Sequence, residues 1–213
     1  MRSTTDPFES YNRAMFEVNQ KIDEAALKPV ASAYRKFVPD TLRGMAHNFF
    51  ENLADLGTAV NQLLQGKPQL ACSDLLRFGI NSTIGIGGLV DIASEWEFEK
   101  HREDFGQTLG RWGVPAGPYL VLPLLGPSTV RDGLGLVVDY KAEPVQFLTD
   151  DPAKRNLMIA LRLVDTRERL LDASRILESV ELDPYLFVRD AHFQRRRNLV
   201  WDGDPPLLDE QDR

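Results

Sequence analysis

Apolar side chains recur at helical spacing along most of the chain. Phe8, Tyr11, Met15, Val18 and Ile22 step by three and four, which gathers them on one face of a first helix. That helix is expected over residues 7–33, bent or interrupted at Pro29. After Pro39 comes the clearest two-sided segment, residues 42–64. Leu42, Met45, Phe49, Phe50, Leu53, Leu56, Val60, Leu63 and Leu64 lie on one side, and Arg43, His47, Asn48, Glu51 and Asp55 on the other. Gly66 followed by Pro68 stops it in the usual C-terminal order. Further helices are expected over residues 69–81, after Ser128 or Thr129, over 152–180 and over 184–200. The third-last of these carries Leu134, Val137 and Val138 but is weakened by Gly133 and Gly135. The 152–180 segment gathers Ala160, Leu163, Val164, Leu170, Leu171 and Leu177 on one side. Asp6-Pro7, Asp151-Pro152 and Asp183-Pro184 each offer an N-cap carboxylate before a proline at the first helical position, and Glu9 would complete a capping box with Asp6. No alternating strand pair with a hairpin turn is visible, so the expected class is all-α.

The middle of the chain breaks this pattern. Residues 82–93 are small and glycine-rich, and residues 91–104 are densely charged. Between Arg111 and Arg131 no side chain is charged, and the run includes Trp112, Tyr119, Leu120, Val121, Leu122, Leu124, Leu125 and Val130. This approaches the ~20 residues that span a bilayer as a helix. Pro115, Pro118, Pro123 and Pro127 forbid that, because each removes a backbone donor and leaves no regular spanning element. Taken alone, the run reads as a buried core loop, with a hairpin dipping into a membrane as the alternative.

Composition narrows the function classes. The chain has 213 residues, 43 % of them hydrophobic and 27 % charged, as in folded proteins. Thirty-two acidic against 25 basic side chains give a formal charge of −7, which argues against a nucleic-acid binder. The single cysteine, Cys72, excludes an internal disulfide and reads as a small buried thiol. No apolar leader precedes the first helix; residues 1–5 read as a junction or linker, 6–201 as one domain and 202–213 as an acidic disordered tail.

Catalytic readings find little support. There is no G-x-S-x-G elbow, and His47, His101 and His192 fall on different expected elements. Glu95, Glu97, Glu99, His101, Glu103 and Asp104 match no metal-site spacing and read as a solvated charged loop. Gly85-Ile86-Gly87-Gly88 fails the dinucleotide fingerprint, because Val90 stands where the last glycine belongs. Arg189, Arg195, Arg196 and Arg197 fit a solvated helix end or a contact to phosphate or anionic lipid equally well.

Several strings in order are more specific. They are Asp6-Pro7-Phe8-Glu9 with Tyr11-Asn12-Arg13, Asn48-Phe49-Phe50 with Asn52-Leu53, and Leu64-Gln65-Gly66. Arg77-Phe78 with Asn81-Ser82-Thr83, Gly85-Ile86-Gly87-Gly88 with Asp91, and Phe105-Gly106-Gln107-Thr108-Leu109-Gly110 follow. Gly117-Pro118-Tyr119-Leu120-Val121-Leu122-Pro123, Gly126-Pro127-Ser128-Thr129 with Arg131-Asp132, and Asp183-Pro184-Tyr185 with Val188-Arg189-Asp190 complete the set. Together they resemble the MlaA/VacJ family of bacterial outer-membrane lipoproteins, over residues 6–201.

The resemblance implies a ring-like, all-helical protein lying in the inner leaflet of the outer membrane, on its periplasmic side, without enzymatic turnover or cofactor. It implies clearance of phospholipids misplaced in the outer leaflet, hand-over to a periplasmic lipid carrier of the MlaC type, and a trimeric porin as partner. The family's lipid-bearing cysteine belongs upstream of Asp6 and is absent from this sequence. Moving an ionic headgroup through hydrocarbon costs several kcal/mol or more, so such a protein needs polar side chains inside and apolar ones outside. On that reading Arg131, Asp132 and Asp139, with Lys141 and Arg167, are the expected lining of a polar passage. The 42–64 helix lies flat in the interface. The proline-broken run becomes a membrane-inserted hairpin and porin contact through Trp112, Tyr119, Leu120, Val121, Leu122, Leu124 and Leu125. Tyr11, Asn12, Arg13, Gly85, Gly87 and Gly88 are expected to shape the ring. A soluble periplasmic lipid-binding or scaffolding module is the main competing reading, and a lipid hydrolase using Cys72 or His101 the weaker one.

Overall fold

A computed structural model describes residues 6–178 and 183–206; the expectations for residues 1–5 and 207–213, and for the side chain of Leu177, lie outside them. Helix α1 (Glu9–Ile22) runs through a π-helical turn (Asp23–Leu27) into α2 (Lys28–Phe37). Pro29 has no N–H to donate one turn back, and its ring would strike the carbonyl there, so the wider turn just ahead of it absorbs the misfit. Helix α3 (Asp40–Leu64) stops at Gly66, whose φ of +77° is a left-handed conformation, and α4 (Pro68–Thr83) folds back along it. Short helices α5 (Ile92–Glu95) and α6 (Phe105–Arg111) lead to strands β1 (Tyr119–Leu122) and β2 (Gly126–Thr129), then to α7 (Val130–Ala142). A 3₁₀ turn (Pro144–Phe147) precedes α8 (Pro152–Arg169), α9 (Leu171–Glu178) and α10 (Pro184–Val200).

The molecule is therefore helical as expected, with one addition. Residues 119–122 and 126–129 form an antiparallel hairpin, Tyr119 opposite Thr129 and Leu122 opposite Gly126. Two four-residue strands interrupted by proline carry too little alternation to be visible in sequence. The expected 152–180 helix is also broken, at Leu170. There the Glu168 carbonyl accepts from Arg35 Nη2 (2.9 Å) and is drawn away from the helical ladder.

Caps explain three helix starts and overturn one expectation. Asp151 accepts from the Ala153 amide (2.9 Å), Asp183 from the Tyr185 amide (3.0 Å), and Thr129 Oγ1 from the Asp132 amide (3.2 Å). Asp6 caps nothing, because α1 begins later, behind Phe8 with no side-chain cap. Its buried carboxylate instead accepts from Asn12 Nδ2 (2.7 Å) and the Tyr185 hydroxyl, and Glu9 pairs with Arg13 (2.8 Å).

Two small apolar clusters flank the interior. Phe50, Leu53 and Val145 form one, with Phe49, Phe78, Met158 and Ile159 packed on it. Tyr119, Val121 and Tyr185 form the other, with Met15, Phe16, Leu186 and Phe193. Elsewhere the usual distribution is reversed: among the described residues, buried polar and charged side chains outnumber buried apolar ones. Apolar residues cover much of the outside, including Leu63, Leu76, Val137 and Leu157, the last 70 % exposed. Cys72 is exposed rather than buried, because it shares an outer α4 surface with Leu75 and Leu76. Among the described residues no helix is long and apolar enough to cross a membrane.

Candidate functional site

The polar interior is organised on one stripe of α3. Arg43, His47, Glu51, Asp55, Thr58 and Gln62 follow one another at steps of three or four residues, so a single helix lines them up over about five turns. At the N-terminal end Arg43 donates to Glu168 of α8 and to Asp40 (2.5 Å), while Arg35 of α2 donates to Glu168 (2.6 Å) and Asp172 (2.9 Å). With Gly44 and Arg169 these side chains border a cleft of about 520 Å³. His47 Nδ1 lies 3.0 Å from Asp165 on α8.

Two turns beyond His47, Asp55 is fully buried and accepts from Lys100. Arg77 of α4, 1 % exposed, donates to both carboxylate oxygens of Asp91 at 3.1 Å, to Ser94 Oγ (3.1 Å) and to the Phe98 carbonyl. Asn81 donates to Asp91 (2.9 Å) and accepts from the Ala93 amide (2.9 Å). Burial pushes the Asp55 carboxyl up to about 6, against the pull of Lys100. Asp91, with Ser94, Asn81 and Arg77 around it, is held below the usual carboxylate range despite its burial. A second cavity of about 140 Å³ opens beside these groups.

Beyond Asp55, Thr108 donates to Asn61 (2.7 Å), and Gln65 (2.8 Å) and Lys67 (3.1 Å) both donate to Glu103. The charged 95–104 stretch is thus only partly solvated: Glu95, Glu97 and Glu99 point outward, whereas Glu103 and Asp104 point in and are paired. Arg196 of α10 donates twice to Asp104 at 2.5 Å and reaches Asp132 at 2.9 Å; Arg131 reaches the same Asp132 at 2.8 Å. Asp132 sits between two guanidinium groups. Helices α6 and α7 meet there so closely that a Cβ on Gly135 would lie 2.5 Å from the Gly106 amide nitrogen. The helix-weakening Gly135 is needed for that approach.

Of the expected lining residues, three come together. Arg131 and Asp132 are buried, and Asp139 accepts from the Phe105 amide at 3.0 and 3.2 Å, next to Asp104. Lys141 is exposed at the end of α7, and Arg167 lies elsewhere, donating to Asp23 at 2.6 and 2.7 Å. The hairpin candidates divide. Leu124 and Leu125 at the tip are 64 % and 69 % exposed, Trp112 is exposed with its indole N–H on the Leu64 carbonyl (2.9 Å), and Leu120 and Leu122 are half-buried. Tyr119 and Val121 are corrected: they are buried in the hairpin's apolar cluster, because side chains alternate along β1, and are closed to lipid or porin.

Asn12 is fully buried and grips β1 from α1, while Arg13 stacks on Tyr185 (4.4 Å) and Tyr11 is exposed. A Cβ on Gly85 would lie 2.2 Å from the Val90 carbonyl, and Gly87 and Gly88 have φ of +69° and +87°. Arg77, Asn81, Asn52 and Asp91 join the site although their residue types alone do not mark them as lining. Their signal is in the sequence: Asp74, Arg77 and Asn81 are polar residues three and four apart, on one face of α4.

Asp139 gives a direct pH test. Burial, with Asp104 nearby, raises its carboxyl to about 6, above the unfolded value near 3.9. Protonation therefore favours the fold: stability is greatest below about pH 4, falls as pH rises through 6, and carries the full cost above it. Asp139→Asn keeps an acceptor for the Phe105 amide and removes the charge. It is expected to stabilise by about 1 kcal/mol at pH 7.5, discounted for partial exposure, and by almost nothing at pH 4. Thermal melts in detergent at the two pH values check this; an equal gain at both rejects it.

Comparison with known proteins follows this geometry. The family model described as MlaA lipoprotein matches residues 4–199. The chain is 37 % identical over 206 residues to the intermembrane phospholipid transport system lipoprotein MlaA of Escherichia coli K12, covering 94 % of this chain and 80 % of that protein. The protein of the same name from Haemophilus influenzae is 33 % identical over 204 residues, covering 93 % and 80 %. A solved structure described as the structural basis for maintenance of bacterial outer membrane lipid asymmetry superposes with a TM-score of 0.80 at 35 % identity, over 93 % of this chain and 100 % of that one. A ring-like helical arrangement is consistent with that neighbour.

Proposed function

The chain belongs to the MlaA lipoprotein family, and on that premise we propose that it serves intermembrane phospholipid transport and the lipid asymmetry of the bacterial outer membrane. In this reading it lies in the inner leaflet of the outer membrane and removes phospholipids misplaced in the outer leaflet. It passes them to a periplasmic carrier, with a trimeric porin as neighbour and a lipid-bearing cysteine upstream of Asp6 as anchor. No bond is made or broken; the task is to keep a charged headgroup solvated while two acyl chains remain in an apolar medium.

The reversed polarity carries the proposal. A soluble module would bury Leu63, Leu76, Val137 and Leu157 and expose Asp55, Arg77 and Asp132; here the opposite holds. Exposed apolar helix faces suit an interfacial protein that does not cross the bilayer. The polar stripe of α3 and the Asp104–Arg196–Asp132–Arg131 cluster supply partners that replace water for a passing headgroup. The exposed tip residues Leu124 and Leu125, with Trp112, are the part of the hairpin open to lipid or porin.

The test is in cells. Replacing Arg131 and Asp132 together by leucine removes one charge of each sign and leaves Arg196 on Asp104, so no net charge is stranded in the interior. Clearance of outer-leaflet phospholipid is expected to fail at unchanged protein level. Normal clearance would remove these two residues from the passage and the ion-pair cluster from the mechanism.

A further inference from the structure

The 140 Å³ cavity beside α3 and α4 is graded in polarity from floor to mouth. At its floor lie Asn52 and Asp55, 3 % and 0 % exposed, and the acceptors Asn52 Oδ1 and Asp55 Oδ2 have no hydrogen-bond partner. Orphaned buried acceptors cost roughly 1–3 kcal/mol each, so the site is incomplete without a donor. Arg77 Nε, also unpartnered, is too far from Asp55 Oδ2 (3.8 Å) to satisfy it. Lys100 reaches from the rim to the other oxygen of Asp55, and His47 and Arg102 stand at the mouth, the last with 63 % of its side chain exposed. Two unsatisfied acceptors thus lie within, and the exposed donors of Arg102 stand at the rim.

We infer that this cavity receives a zwitterionic lipid headgroup of the phosphoethanolamine class, its primary ammonium on Asn52 Oδ1 and Asp55 Oδ2 and its phosphate toward Lys100 and Arg102. The inference rests on the transport reading above and names the headgroup that reading leaves open. A bare cation fits poorly, because Arg77, Lys100 and Arg102 already balance Glu51, Asp55 and Asp91 around the cavity. A zwitterion adds no net charge and pairs each end with its opposite. The cavity has room for the N–C–C–O of an ethanolammonium. Three N-methyl groups would take away every N–H that the orphaned acceptors need. A glycerol headgroup brings hydroxyls but no charge for Asp55.

The full chain is purified in detergent micelles holding equal amounts of phosphatidylethanolamine, phosphatidylcholine and phosphatidylglycerol with identical acyl chains, and retained lipid is read by native mass spectrometry. Phosphatidylethanolamine is expected to exceed each of the others by about tenfold, the factor that one charge-assisted hydrogen bond supplies. Asp55→Asn is expected to bring the three to near equality. Arg102→Ala, which gives up only an exposed ion pair with Glu51, is expected to lower retained phosphatidylethanolamine about threefold through its phosphate alone. Equal retention of all three by the unaltered chain, as a cavity filled only by water predicts, overturns the headgroup assignment and leaves the transport reading standing. Retention of no lipid at all counts against both.

Discussion

Replacing Asn12 by leucine is expected to lower unfolding stability by about 3–5 kcal/mol, although the two side chains are nearly equal in size. The buried amide of Asn12 makes three bonds at once. Its Nδ2 donates to Asp6 (2.7 Å) and to the Tyr119 carbonyl (3.1 Å), and its Oδ1 accepts from the Val121 amide (2.8 Å). All of these partners are buried, so the substitution leaves a backbone N–H, a backbone carbonyl and a carboxylate oxygen with one partner fewer and no water to replace it. Asn19, two turns further along α1, is the internal control. It grips the same hairpin through the Leu122 carbonyl (2.9 Å) and the Leu124 amide (2.7 Å), but it is only half-buried. Water can take its place, and Asn19→Leu is expected to cost about 1 kcal/mol. Denaturant unfolding in detergent gives both values, and limited proteolysis near Leu124 should accelerate in the Asn12 variant first. An Asn12→Leu chain within about 1 kcal/mol of the unaltered one would mean that the hairpin is not held from α1.

Helices were legible because their signal is periodicity, and periodicity survives whichever face turns inward. Residues 42–64 read as a two-sided helix, and α3 spans Asp40–Leu64. What a sequence pattern leaves open is the sign. The same alternation of faces would describe a soluble helix burying Leu63 or an interfacial one burying Asp55, and only the family resemblance chose the second. Cys72 shows the cost of the ordinary assumption: among leucines it reads as buried, yet those leucines face outward. Tyr119 and Val121 show the converse, since an apolar run taken as one membrane-facing unit is split by strand alternation into a buried row and a tip. The long-range pairs were illegible for another reason. Asp104 and Arg196, or Asp6 and Tyr185, are brought together by topology across most of the chain, and no local spacing encodes their meeting. Arg131, Asp132 and Asp139 were within reach because two of them are adjacent and the third lies two turns along the same helix.

Arg77→Leu tests whether the polar interior is held by compensated charge. Arg77 is the buried cation shared by Asp91 and, less closely, Asp55, and it also binds the Phe98 carbonyl. Removing one member of a buried ionic set leaves the others uncompensated, and a loss of about 3–5 kcal/mol is expected at neutral pH. Arg77→Lys keeps the charge but not the fork that reaches Asp91, Ser94 and Phe98 together, so about half the loss is expected to remain. The pH dependence separates charge from packing. Asp55 already has its carboxyl pushed up to about 6 by burial, and losing the Arg77 cation moves it higher still. Below about pH 6 the carboxyl is protonated in the folded state of both chains, and its part of the deficit disappears; above the variant's own value it is present in full. Urea unfolding at pH 5 and pH 8 should therefore give a clearly smaller difference between variant and unaltered chain at the lower pH. A cavity left by the missing side chain would not titrate. The same deficit at both values would assign the loss to packing and to the Asp91 pair, and Asp55 would then owe nothing to the cation 3.8 Å away.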